Sequence, residues 1–194
     1  MTSPVASGVE HYRVDATTST FTVQAFAEGL FSAFGHDPVF GVKDFQGEAE
    51  FVPGTFANAS LRLSINASSL IVVNDIKEKD RKDIEQVMRD EVLETAKYPE
   101  IVFQSSNISL SRSGPDRYRA RVIGDLTLHG VTQKNIWLNG EVSLTPDGLR
   151  AKGEFTLRQT DYKIRLVSVA GGTLKIKNEV NGSFDILARS TRDA

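Results

Sequence analysis

The sequence predicts an all-β protein built from antiparallel strands, and three observations lead to that prediction. Apolar and polar residues alternate with a period of two along most of the chain, as in strands that bury one face and expose the other. Turn signals separate these segments at Pro53-Gly54, residues 113–116, residues 146–148 and Gly171-Gly172. Only residues 80–96 depart from the alternation over a long stretch.

Length and composition describe one soluble domain. The chain has 194 residues, of which 40% are apolar and 25% charged, and this is enough for a sizeable single core. We expect residues 1–10 to be loosely ordered and residues 11–190 to form the domain. The net charge of -2 argues against a non-specific nucleic-acid binder. The absence of cysteine excludes disulfides, thiol catalysis and cysteine metal sites.

The chain shows no signal for a membrane. No apolar run approaches the roughly 18 to 20 residues that a membrane span needs. The first ten residues lack both the basic region and the apolar region of a signal peptide. We therefore expect a cytoplasmic protein as the sequence stands, and a periplasmic or secreted one if a leader has been removed.

Each predicted strand has one apolar face. Its members alternate with polar neighbours, so they share one side of a sheet. In chain order these apolar positions are Phe21, Val23, Ala25 and Ala27; Leu61, Leu63, Ile65 and Ala67; Ala120, Val122, Gly124, Leu126 and Leu128; Ile136, Leu138, Val142 and Leu144; Phe155 and Leu157; and Leu174, Ile176, Val180, Phe184 and Ile186.

Residues 80–96 predict one amphipathic helix. Asp80 is the expected N-cap, and Pro99 ends the segment that follows. The charged residues of this region are expected to form its solvated face. The apolar stripe consists of Ile84, Val87, Met88, Val92 and Leu93. The charged set consists of those within 77–82, Glu85, Arg89, Asp90 and Glu91.

Roughly eight to nine such strands with one helix form either two packed sheets or a closed barrel. A barrel has no free edges, which favours it when strands are regular and connections are short. Periodicity alone does not distinguish the two packed sheets from the closed barrel. A barrel of about eight strands would turn its apolar set inward and would hold one small or slender ligand.

Several motifs, in order and spacing, resemble the YceI family over residues 11–189. The strongest are residues 98–105 (YPEIVFQS) and 124–132 (GDLTLHGVT). Weaker matches are residues 12–15 (YRVD) with 19–21 (STF), 34–37 (FGHD) with 44–47 (DFQG), and 158–162 (RQTDY). The last pattern usually continues with glycine in the family, where this chain has Lys163.

The resemblance implies a lipocalin-like antiparallel barrel of about eight strands with its helix near the mouth. It also implies non-catalytic binding, carriage or sequestration of a long isoprenoid lipid, such as a polyprenyl chain or an isoprenoid quinone. No cofactor and no metal are expected, and a homodimer is compatible with these expectations. The expected ligand-binding residues, on the inner wall and at the mouth, are Phe21, Val23, Leu30, Phe31, Phe34, Leu63, Ile65, Ile84, Val87, Met88, Phe103, Leu126, Leu128, Leu138, Val142, Phe155 and Leu157.

A charged head group would need basic residues near the mouth. No glycine-rich phosphate loop is legible in the sequence, so we expect the tail to supply most of the affinity. The cationic candidates are Lys77, Lys79, Arg81, Lys82 and Lys163.

Two alternatives from other functional classes stay open at this point. One is an enzyme acting on a small apolar substrate with His36 and Asp161. The other is a β-sandwich interaction module whose apolar side chains fill a dry core. The three histidines, His11, His36 and His129, have no metal-ligand spacing, and His129 is expected to be an exposed turn residue.

Overall fold

Strands dominate the computed structural model, which describes residues 8–28, 37–52, 56, 58–169 and 174–191. In chain order they are β1 (Glu10–Val14), β2 (Thr20–Gln24), β3 (Ala27–Glu28), β4 (Val39–Val42), β5 (Phe45–Phe51), β6 (Ser60–Asn66), β7 (Leu70–Val72), β8 (Glu100–Gly114), β9 (Arg117–Leu128), β10 (Val131–Thr145), β11 (Gly148–Arg158), β12 (Ser168–Val169), β13 (Leu174–Ile176) and β14 (Glu179–Ser190). Helix α1 spans Glu78–Val87.

Eight strands close into an antiparallel barrel. The order around it is β1–β5–β6–β8–β9–β10–β11–β14, and β14 completes the ring by pairing with β1, so that Val14 lies opposite Ala188. The apolar alternation therefore points into one shared interior. The predicted eight-stranded barrel is confirmed, and the alternative of a packed β-sandwich is wrong.

The sheet also extends beyond the ring on one side. The first part of β14 pairs with β2, and β4 and then β7 follow, so β7 is the last strand of this extension. Strands β12, β13 and β3 form a small separate sheet. Because β7 has a strand partner on one side only, its other edge needs hydrogen-bond partners from elsewhere.

Helix α1 supplies those partners with side chains. Glu85 Oε1 accepts a 2.9 Å hydrogen bond from the Val72 backbone N–H. Arg81 donates to the backbone carbonyl oxygens of Val72 and Asn74. The prediction that these charges form a solvated face is wrong for Arg81 and Glu85, whose side chains are 28% and 15% exposed. Both side chains turn to the strand because its backbone polar groups are otherwise unpaired.

The helix begins and ends differently from the prediction. Its N-cap is Lys77, which makes no side-chain capping bond, so the expected N-cap at Asp80 is wrong. Asp80 instead lies in the first turn, where a carboxylate is favourable at the positive end of the helix dipole. Residues Met88–Val92 continue as a π-helical turn, in which Leu93 N–H donates to Met88 O at 2.9 Å. The wider turn lets Met88 and Leu93, both buried, face the barrel.

The two strongest sequence motifs pack against each other. The ring of Tyr98 lies 4.5 Å from that of His129, centroid to centroid, and covers Gly130. Phe103 covers Gly124 in the same way, since a methyl group at residue 124 would stand 2.5 Å from Phe103 Cζ. The first motif therefore supplies the aromatic rings, and the second supplies the glycines against which these rings pack.

The departure at Lys163 is visible in the backbone. Lys163 has φ 58° and ψ 20°, the left-handed conformation at the C-cap of the 3₁₀ turn Gln159–Tyr162. Glycine adopts this conformation without a steric penalty. The chain thus keeps the loop geometry that glycine favours while carrying a lysine there. Among the residues described, no helix is long and apolar enough to cross a membrane.

The strand register yields the first testable prediction. Leu126 lies on the inner wall, whereas Thr127 shares a side-chain hydrogen bond with Thr132 on the outer face. We expect Leu126→Arg to lower the free energy of unfolding by several kcal/mol, because an unpaired charge would enter an apolar interior. The matched change Thr127→Arg should stay within about 0.5 kcal/mol. Urea unfolding of both variants checks this, and a reversed order of the two effects would contradict the register.

Candidate functional site

The barrel encloses an apolar cavity of about 740 Å³. Its wall combines inward side chains of the strands with one face of the helix segment. The predicted binding positions that the structure brings together on this wall are Phe21, Val23, Leu63, Ile65, Ile84, Val87, Met88, Phe103, Leu126, Leu128, Leu138, Phe155 and Leu157.

Four predicted positions are not among those wall residues. Leu30, Phe31 and Phe34 lie outside the described residues. Val142 has the inward alternation but pairs with Tyr118, whose ring contacts Phe56 with centroids 4.8 Å apart. Phe56 in turn packs on Phe51, so aromatic rings cluster near this position. Val142 itself does not line the cavity, although Ala151, opposite it on β11, does.

Phenylalanine rings line the cavity without filling it. Gly153 lies opposite Phe184 in the β11–β14 pair, and a methyl group at residue 153 would stand 2.6 Å from Phe184 Cζ. Gly182 lies opposite Phe155, and the three atoms nearest to an added methyl group all belong to the Phe155 ring. The rings therefore pack flat against glycines of the neighbouring strand, which leaves the centre of the barrel open.

Among the described residues, four polar or charged ones interrupt the apolar wall: Asp80 and Asp83 on α1, Gln159 after β11, and Lys175 on β13. None of these four residues is among the predicted binding positions. The sequence pattern could have indicated three of them. Gln159 continues the inward alternation of Phe155 and Leu157, and Asp80 and Asp83 precede Ile84 and Val87 at helical spacing.

The cationic candidates for a phosphate site do not line the cavity. Lys77, Lys79, Lys82 and Lys163 are exposed and absent from its wall. Arg81 donates a hydrogen bond to the Val72 carbonyl oxygen at the edge of β7, and Lys82 Nζ lies 3.4 Å from Glu78 Oε1. The charged groups that do reach the wall are two carboxylates and one ammonium group, which does not favour an anionic ligand.

His129 is a turn residue, as expected, but it is not exposed. Its side chain is 8% accessible, so that part of the prediction is wrong. Nδ1 donates to the Tyr162 carbonyl oxygen at 3.1 Å, because a carbonyl can only accept, and Nε2 lies 2.6 Å from Glu94 Oε2. The imidazole thus joins the end of the helix segment, the β9–β10 turn and the 3₁₀ turn.

Tyr162 supports the wall from behind. It is 1% exposed, belongs to the hydrophobic core and is absent from the residues that line the cavity. Burial, with a smaller contribution from the charge of Asp161, raises the pKa of Tyr162 to about 12. Its hydroxyl therefore stays protonated at neutral pH, and it has no hydrogen-bond partner in the part of the chain that the structure describes.

Asp161, one of the two residues proposed for catalysis, does not lie at this cavity. Asp161 is exposed and does not line the wall, and its backbone carbonyl accepts a hydrogen bond from Gln133. His36 lies outside the described residues. Within the described ranges no group of three or more His, Cys, Asp or Glu side chains is arranged to hold a metal ion.

Fold and cavity together define an eight-stranded antiparallel barrel with an internal apolar site. A family model for the YceI-like domain matches residues 12–188, and the chain belongs to this family. It is 27% identical over 164 residues to a UPF0312 protein of Pseudomonas savastanoi pv. phaseolicola, covering 81% of this chain and 80% of that one. A UPF0312 protein of Pseudomonas syringae pv. tomato is 29% identical over 147 residues, or 73% of this chain and 71% of the relative.

Solved structures share the fold at low sequence identity. The crystal structure of Burkholderia cenocepacia BcnA has a TM-score of 0.65 at 19% identity, covering 89% of this chain and 98% of that one. A polyisoprenoid binding domain from Saccharophagus degradans, implicated in plant cell wall breakdown, has a TM-score of 0.63 at 17% identity, covering 92% and 98%. At such identities the likeness concerns the fold.

The packing of rings over glycines can be tested at Gly182. We expect Gly182→Ala to push the Phe155 ring off the wall, which costs about 1–3 kcal/mol of unfolding free energy and narrows the cavity. Gly114→Ala is the matched control, because an added methyl group there has no neighbour closer than 3.8 Å. Urea unfolding and the binding of an apolar dye should show loss in the first variant only. Equal behaviour of the two would contradict the packing.

The attachment of the helix gives a separate prediction. Glu85→Ala should lower the unfolding free energy by about 1–3 kcal/mol, because the Val72 N–H would lose its acceptor. Gln86→Ala, one residue further on the exposed side of the helix, should change it by less than about 0.5 kcal/mol. Urea unfolding of both variants measures these two changes in free energy. Two equally small effects would mean that Glu85 does not hold the edge of β7.

Proposed function

We propose that this protein binds a long-chain isoprenoid lipid inside the barrel and carries or sequesters it without chemical change. The observation that carries the proposal is the apolar cavity of about 740 Å³. Ligand sites for small molecules have volumes of about 300–1,000 Å³ and predominantly apolar walls. A long apolar chain is the ligand class that such a wall recognises best, because it offers no polar groups that would need partners.

The comparison with the Saccharophagus degradans domain supports the same ligand class. That protein is described as polyisoprenoid-binding, and it shares the barrel over 92% of this chain. The lipid could be a polyprenyl chain or the tail of an isoprenoid quinone. Both expose the same branched hydrocarbon to the wall.

A few buried isoprene units supply enough free energy for micromolar affinity. Burying one five-carbon unit releases about 4 kcal/mol at about 0.8 kcal/mol per carbon. Micromolar binding corresponds to about -8 kcal/mol, and association costs must be subtracted from the gross gain. A tail of several units reaches this level from apolar contact alone, so no charged anchor is required.

The charges at the wall support a site in which the tail dominates. Asp80 and Asp83 place two carboxylates there against the single ammonium group of Lys175. A pyrophosphate would find one cationic side chain among the described residues of this wall, so it would gain little attraction between charges.

A titration with two ligands at two salt concentrations tests the proposal. We expect a prenyl alcohol to bind, and its affinity to change little when the Debye length falls from about 30 to 3 Å. The matched prenyl pyrophosphate should bind no more tightly. Failure of the alcohol to bind would contradict a lipid cavity. Pyrophosphate binding about a hundredfold tighter at low salt, equal to about 2.7 kcal/mol, would contradict the dominance of the tail.

A further inference from the structure

One amide in the cavity wall has an acceptor atom that takes no hydrogen bond from any described residue. Gln159 begins the 3₁₀ turn after β11 and is 8% exposed, yet it lines the cavity. Its backbone N–H donates to the Asn178 carbonyl oxygen at 2.9 Å. The residue is thus fixed at the junction between the barrel and the start of β14.

The orientation of this amide is set by its surroundings. The Gln159 side chain lies 2.8 Å from the Lys177 carbonyl oxygen, and since a carbonyl can only accept, the contacting atom is Nε2. Asn178 holds the turn from the same side, because its Oδ1 accepts from the Thr160 N–H at 2.9 Å and its Nδ2 donates to Thr160 Oγ1 at 2.8 Å. Rotation of the Gln159 amide would break the bond to Lys177, so Oε1 has a fixed direction.

Gln159 Oε1 accepts no hydrogen bond from the residues that the structure describes. An amide oxygen that loses water to a ligand without gaining a donor is unfavourable. A ligand that displaces water from this position must therefore bring a donor of its own. The apolar side chains of the wall cannot supply one.

We infer that Gln159 selects lipids whose head group carries a hydroxyl donor. The shared chemistry is an isoprenoid chain ending in an alcohol or a phenol, the latter including a reduced quinone. Ethers and oxidised quinones lack the donor, so they would leave Gln159 Oε1 without a partner. This inference rests on the proposed function and names the ligand class within it.

The direct experiment compares two ligands that differ only in the donor. Geranylgeraniol and its methyl ether are titrated against the unmodified protein, with displacement of an apolar fluorescent dye as the readout. We expect the alcohol to bind about tenfold more tightly, equal to about 1.4 kcal/mol. Gln159→Met keeps a side chain of similar length without the acceptor, and the ratio should fall to about one. Gln86→Met makes the same exchange at an exposed glutamine outside the wall and should keep the tenfold ratio.

A second ligand pair distinguishes the two sources of the hydroxyl. A prenylated hydroquinone that binds more tightly than its quinone, under reducing and oxidising conditions respectively, indicates a phenolic head group. A preference confined to the alcohol indicates an aliphatic one, and either result supports the role of Gln159.

The results that would overturn the inference are separate from those that would overturn the proposed function. Equal binding of alcohol and ether by the unmodified protein overturns the inference alone, whether or not Gln159→Met folds. A tenfold ratio that survives in folded Gln159→Met does the same. If neither ligand binds, both the inference and the lipid cavity are wrong.

Discussion

Whether this barrel is hollow depends on where its phenylalanine rings lie. The chain has eleven phenylalanines, and several point inward from neighbouring strands. Phe155 lies over Gly182 and Phe103 over Gly124, so each ring rests against backbone and leaves the centre open. Larger residues at these glycines would turn the rings inward and convert the cavity into a packed core. The glycines are therefore as important for the site as the apolar residues that line it.

A second constraint concerns the side on which the sheet extends past the ring. There β7 ends the extension, and its outer edge is met by Arg81 and Glu85 of the helix rather than by another strand. The same helix presents Ile84 and Val87 to the cavity. One element thus satisfies the backbone of an edge strand, completes the apolar wall and places Asp83 there. His129 fixes the far end of this segment through Glu94.

The sequence was sufficient to predict the barrel and most of its inner wall. Alternation with period two assigns residues such as Leu63 and Leu126 to the inside because a pleated strand fixes the face of each side chain. Helix contacts at Glu85 were missed because they depend on which edge of β7 is left without a strand partner, and alternation does not reveal strand order. Val142 shows a different limit, since alternation gives the face of a residue but not whether its side chain reaches the cavity. Alternation places Gln159 on the inner face of the barrel. The direction of its Oε1 follows only from the position of the Lys177 carbonyl oxygen, which alternation does not give.

The central claim is that the barrel interior is a site for a lipid and not a dry core. Mass spectrometry of the organic extract from the purified, folded protein tests this most directly. The account predicts an isoprenoid lipid at about one molecule per chain, retained through purification and lost in Leu126→Arg. An extract free of apolar molecules, together with no uptake of prenyl alcohol by the same folded protein, would contradict it.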